Sequence, residues 1–314
     1  MLHSGSSIAR PKVKQDSTQV RLEQLKGLCR KQNLSDNPVN TLNTARKIEH
    51  LADSIGNQDY LLYAYVMIGQ TSLFLNDSTT SSHYLNKALK LALRQNDIWG
   101  ITASYGNLGI LAINKENNYR KGIDYFLEGI EIAEKAQNLK QYAYLACNLA
   151  IAYNLRKDTT GLAYAQTAYN YGITHNDKYM MFSGAFTSAS LLCLSGKYQE
   201  AEKAIITAIN INDYANYNVG IYTTYANILS ALGKNSKAEE YYRKALLHID
   251  NQEISSIVDS YLNYGGFLIK NRRYRQAVEI LKKGLELSLS SKNAVNRYSL
   301  YLNLSDAYKH LGRI

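Results

Sequence analysis

The 314-residue chain is 46% hydrophobic and 20% charged, with 36 Lys and Arg against 26 Asp and Glu for a net charge of +10. That apolar content excludes a disordered chain, and no run reaches the roughly 18 consecutive apolar residues of a membrane helix. Only two prolines occur, Pro11 and Pro38, so residues 39–314 lack the strongest helix breaker, which excludes a turn-rich sandwich or barrel and points to an all-α protein.

Residues 1–15 are basic and have no apolar core, so they read as a flexible N-terminal segment and not as a signal peptide. Residues 1–31 carry a net charge of +5, residues 270–283 carry another +5, and the remainder is neutral. A nucleic-acid track needs cations along one continuous surface. Two separated clusters on a neutral body argue against it.

From residue 16 onward the chain repeats. One recurring place runs Ala52, Ala92, Ala133, Gly172, Asn212, Ile249 and Ser288, at spacings of 40, 41, 39, 40, 37 and 39 residues. A small-residue column falls into line with it at Gly69, Gly109, Ala150, Ala189, Ala226, Gly265 and Ser305. Two more small columns follow, Ser81, Gly122, Gly161, Ala201, Ala238, Ala277 and then Ala88, Gly129, Ala168, Ala208, Ala245, Gly284. Between those two lies a mostly larger one: Leu85, Phe126, Ala165, Ile205, Tyr242 and Leu281. Offsets of four and three place these last three columns on one helical face, where small residues let two helices approach and the larger one fills the gap. Ser195-Gly196-Lys197 and Gly233-Lys234-Asn235 read as turns inside helix pairs.

The pattern predicts repeats at 16–57, 58–97, 98–138, 139–177, 178–216, 217–254 and 255–292, with a partial one at 293–314, as one array over 16–314. Stretches such as YGNLGILAINKENNYRKGIDYFLEGI (105–130) and ILSALGKNSKAEEYYRKALLHI (228–249) resemble tetratricopeptide repeats. The family's aromatic position is filled by Tyr65, Tyr105, Tyr222, Tyr261 and Tyr301, with Ala146 and Ala185 as exceptions. The resemblance implies a right-handed superhelix (an α-solenoid) of seven helix pairs and a final unpaired helix. The period exceeds the usual figure of about 34 residues, and the proline that closes the second helix is missing. Longer repeats of this kind are similar to those of bacterial transcriptional regulators and sensor kinases. Leu300, Leu304, Tyr308 and Leu311 look like an internal repeat's first helix, so the chain reads as a piece of a longer protein.

No nucleotide-binding, zinc-protease or hydrolase motif occurs, and the six histidines have no ligand-like spacing. Ser35-Asp36-Asn37 matches one element of a β-lactamase signature without its partners. Cys29, Cys147 and Cys193 lie in apolar helical stretches and read as small buried hydrophobes. The reading is therefore non-enzymatic, with no cofactor and no metal.

What remains is the concave surface that the first helices of such pairs line. Asn107, Asn148, Asn263 and Asn303 share one register, filled elsewhere by Met67, Thr187 and Thr224. An amide offers both donor and acceptor, so a row of them can pair with an extended backbone; the resemblance implies such a role in peptide grooves. Tyr63, Gln70, Asn114, Tyr144, Asn154, Asn227, Asp259, Asp306 and Lys309 are neighbouring groove positions. The competing reading is that asparagines here cap or satisfy helices. Two functions follow: the peptide- or protein-binding sensor segment of a larger bacterial regulator, or a freestanding adaptor that bridges two proteins. No nucleic-acid partner is expected. A cytoplasmic chain fits, as does a periplasmic piece of a membrane-anchored regulator.

Overall fold

A computed structural model describes residues 12–34, 37–212, 217–249, 254–290 and 296–312. Residues 1–11 of the expected flexible segment, Ser35 and Asp36, and Arg313 and Ile314 lie outside the described residues. Fifteen α-helices and no strand occur among those described. Their contacts group into two compact units, one running to Ala152 and one from Tyr153.

The first unit holds α1 (Lys12–Leu34), α2 (Pro38–Ser54), α3 (Gln58–Phe74), α4 (Ser78–Gln95), α5 (Ile98–Asn114), α6 (Tyr119–Lys135) and most of α7 (Leu139–Leu155). In the second, a 3₁₀ turn at Thr159–Gly161 leads into α8 (Leu162–His175), α9 (Lys178–Leu194), α10 (Tyr198–Ile211) and α11 (Asn218–Ala231). α12 (Asn235–Leu247), α13 (Ile254–Lys270), α14 (Tyr274–Ser290) and α15 (Arg297–His310) complete it. Residues 12–15, expected in the flexible segment, open α1 instead.

Short turns make consecutive helices antiparallel. At most of them one residue takes the left-handed conformation, among them Asn76 (φ 63°), Asn96 (φ 53°), Asn176 (φ 53°), Gly196 (φ 74°) and Gly233 (φ 76°). Gly and Asn bear that conformation at least cost. The next residue sends its N–H back to a carbonyl in the helix just ended, as Asp77 does to Ser72 (2.9 Å), Asp97 to Ala92 (3.0 Å) and Lys234 to Leu229 (2.9 Å). In many turns that same residue caps the following helix. Asn57, Asp77, Asp97, Asn118, Asn138 and Asp177 each accept from the backbone N–H three residues on. Each cap satisfies an N–H that the helix start would leave orphaned. Many asparagines are therefore structural.

Within a pair, a small residue on the first helix receives a large side chain from the second. A Cβ on Gly69 would meet Leu85 Cδ2 at 2.7 Å; Gly109 faces the Phe126 ring and Gly265 faces Leu281 closely enough to exclude one. Ala201, Ala208, Ala238, Ala245 and Ala277 are fully buried. The aromatic column pairs with the second helix too: Tyr65–Tyr84, Tyr105–Tyr125 and Tyr222–Tyr241 have ring centroids 5.9, 6.0 and 5.9 Å apart. Tyr301 is 53% exposed, because no second helix follows α15 among the described residues. Cys29 and Cys147 are buried, but Cys193 is only half-buried.

Charge adds ties in the second unit, among them Lys234 with Glu202 at 2.7 Å and a cluster at Glu239. Glu239 on α12 accepts from Arg273 (2.8 Å from Nη2), from Arg243 (2.8 Å) and from the Tyr264 hydroxyl (3.1 Å). The Arg273 hydrogen bonds, with those of Arg243 and Tyr264, pull its pKa down to about 2. Part of the basic cluster at 270–283 is thus internally paired.

Two predictions follow from this packing. Ala201→Leu and Ala238→Leu should each destabilise by about 1–3 kcal/mol through overpacking; unchanged thermal melts for both would show the helix contacts to be misassigned. A depressed folded pKa stabilises above the unfolded value near 4.5, and that contribution disappears as pH falls through about 2. Glu239→Gln should cost about 1–3 kcal/mol at neutral pH. Urea melts should show the gap to wild type closing between about pH 5 and 2.5, whereas a gap constant with pH would contradict the ionic tie.

Candidate functional site

The second unit contains a cleft of about 380 Å³ formed by α11, α12, α13 and α15. Three amides line it, Asn227 from α11, Asn263 from α13 and Asn303 from α15. Leu262, Phe267, Tyr242 and Ala231 give it apolar surface, and Ser230, Ser299 and Lys270 add two hydroxyls and one ammonium. Helical register explains the assembly. Ser230 follows Asn227 by three residues, Gly266 and Phe267 follow Asn263 by three and four, and Ser299 precedes Asn303 by four, all spacings that share a face.

The amides are oriented by one another. The Tyr242 hydroxyl donates to Asn227 Oδ1, Asn227 Nδ2 donates to Asn263 Oδ1 at 3.2 Å, and Asn263 Nδ2 donates to the Asp259 carbonyl at 2.7 Å. Burial pushes the Tyr242 pKa above its ordinary value, so this hydroxyl stays protonated and donates. Each Asn amide has two N–H donors and two acceptor lone pairs, so Asn227 and Asn263 each keep one donor and one acceptor in reserve. No buried charge is needed for this chemistry. Neutral hydrogen-bond donors and acceptors at preset positions are what the arrangement offers.

Of the thirteen groove positions read from sequence, Asn227, Asn263 and Asn303 line this cleft, and the others are not among its lining residues. Asn154 lies in the last turn of α7, where its carbonyl accepts from Lys157 N at 2.9 Å. Asn107 is half-buried on α5 in the first unit and donates to the Ala103 carbonyl at 2.8 Å. Gln70, Tyr144 and Asn148 are also half-buried in the first unit. Tyr63 departs from the groove reading: it is 5% exposed, its ring stacks on Trp99 at 5.8 Å, and the Lys26 ammonium sits 5.4 Å from the ring centroid. Among the other groove positions, Asn114, Asp259, Asp306 and Lys309 are exposed. Met67 and Thr187, which replace Asn in the register, are buried.

Sequence reasoning treats Tyr242 as core filling and passes over Gly266, Phe267 and Lys270. Their spacing of three, four and seven residues from Asn263 is the signal that could have found the last three. Among the described residues no group of three His, Cys, Asp or Glu side chains could hold a metal ion, and no helix is long and apolar enough to cross a membrane.

The tetratricopeptide-repeat model matches residues 62–94, 219–247 and 258–290. These three stretches are tetratricopeptide repeats. Two of the matched stretches contain most of α11 and α13, together with α12 and α14, so the cleft is built largely from matched repeats. No curated protein matches the sequence. Among solved structures, the fold is similar to a Rap protein complexed with competence and sporulation factor (TM-score 0.69, 18% identity, 95% of this chain and 87% of that one). It is also similar to the apo form of the quorum sensor NprR from B. thuringiensis (TM-score 0.65, 18% identity, 91% and 82%). NprR in complex with its cognate peptide NprX gives a TM-score of 0.64 at 18% identity, covering 88% and 84%. At such identities the likeness concerns the fold.

Proposed function

We propose that this chain is a non-enzymatic tetratricopeptide-repeat scaffold that binds an extended peptide or partner segment, and that it serves as the sensing part of a larger bacterial regulator. The observation that carries the reading is the convergence of three amides, from three successive repeats, on one cleft, with the orientation of Asn227 and Asn263 already set. Two structural neighbours, NprR and Rap, are seen with a bound peptide or factor, which supports a peptide as the ligand. Asn263, Asn303 and Asn227 bind the peptide backbone, and Asn107 and Asn148 belong to the same row within the first unit. Gln70, Tyr144 and Asn154 are further ligand-binding positions in this reading, and Tyr63, 5% exposed, is not.

Preset amides lower the ordering cost of binding, and each bond to the ligand returns about 0.5–1.5 kcal/mol. Asn263→Ala combined with Asn303→Ala should therefore weaken a captured peptide roughly tenfold, with the melting temperature within about 2 °C of wild type. Asn107→Ala combined with Asn148→Ala tests the first unit in the same way. Titration of the best binder from a peptide pool, with parallel thermal melts, decides the matter. Preserved affinity with a lowered melting temperature would assign these asparagines to structure instead.

A further inference from the structure

Two consecutive glycines inside α13 have different physical reasons for being there. A Cβ on Gly265 would overlap the Leu281 side chain, so helix packing requires that glycine. A Cβ on Gly266 would meet only the Asn303 amide nitrogen, at 3.7 Å, an ordinary contact. Its backbone is helical, with no left-handed conformation to accommodate. A glycine in a helix interior is less stable there than alanine, because it exposes backbone and gives up more chain entropy. Neither packing nor backbone geometry offsets that cost at Gly266.

Gly266 does, however, line the cleft. At the corresponding place, one residue after the small column, the other repeats carry Gln70, Ile110, Ile151, Ser190, Asn227 and Asp306. Every one of them projects a side chain. The missing side chain at Gly266 opens the space between Asn263 and Asn303, where half-buried Leu262 and the edges of the buried Phe267 and Tyr242 give the lining apolar surface.

We infer that Gly266 is the specificity-determining position of this cleft: its bare helix backbone receives one large apolar side chain of an extended peptide, while the flanking asparagines pair with that peptide's backbone. This rests on the peptide-binding reading and adds to it the class of residue selected. A cleft of about 380 Å³ stands at the small end of ligand pockets, suited to one large side chain with its adjoining backbone. Burial of such a side chain discriminates it from alanine by about tenfold or more.

The test uses the full chain and a capped, randomised heptapeptide pool, from which the tightest binder is resynthesised with each large apolar residue exchanged in turn for Ala and for Asp. One position should dominate, losing at least tenfold on either exchange. Gly266→Ala should raise the melting temperature by about 2 °C yet weaken the binder about threefold or more, and Gly266→Leu should abolish the preference at the dominant position. Gly27→Ala is the control. Gly27 is an exposed α1 glycine with nothing within 4 Å of an added Cβ, so it should show the thermal gain with unchanged affinity. Should Gly266→Leu fold poorly, the opposed shifts of Gly266→Ala still decide. Wild-type affinity and preference in both Gly266 variants, with Asn263→Ala plus Asn303→Ala still weakened, would overturn the assignment of Gly266 and leave peptide binding standing. No binding of any pool member to the wild-type chain would overturn both.

Discussion

Everything in this fold depends on how closely two antiparallel helices approach at one point in each repeat. Where Gly69 faces Leu85, Gly109 faces Phe126 and Gly265 faces Leu281, one helix contributes no side chain and the other fills the vacated space. Close approach at that point leaves a turn of only a few residues, which in turn requires a left-handed residue and an immediate cap. Asn and Asp meet the second demand, and Asn or Gly the first. Part of the asparagine content of the chain is a consequence of this geometry.

Because pairing consumes one face of each first helix, another face is left free for polar groups. Within the second unit those groups form a directed relay. The Tyr242 hydroxyl, kept protonated by burial, starts it, and the Asp259 carbonyl ends it. Such a relay holds amides in place without burying charge, so a ligand bound there would meet oriented donors and acceptors and lose less ordering entropy. The Glu239 cluster lies in the same unit on α12 and acts differently, with a carboxylate fully engaged by two guanidiniums and a hydroxyl.

The helix pairs were legible in sequence because their signal is periodic: columns recurring every 37–41 residues mark the contacts that the structure makes. The cleft was half legible. Asn263 and Asn303 stand in a register that composition alone would not produce, and Asn227 is its near neighbour. Gly266 and Tyr242 were not, because a glycine that leaves open space looks the same in sequence as one required by packing, and Tyr242 serves both the core and the cleft. Tyr63 misled for a related reason. Helical spacing places it on a first helix but does not tell that α1 side chains and Trp99 enclose it.

The most direct measurement is side-chain amide NMR of the full chain, isotope-labelled, during titration with the best-binding heptapeptide. Binding in a cleft of preset amides should shift the side-chain resonances of Asn227, Asn263 and Asn303 and the backbone amide of Gly266 together, along one saturation curve. Shifts confined to α10, α12 and α14 surface residues, with those four signals unmoved, would contradict it.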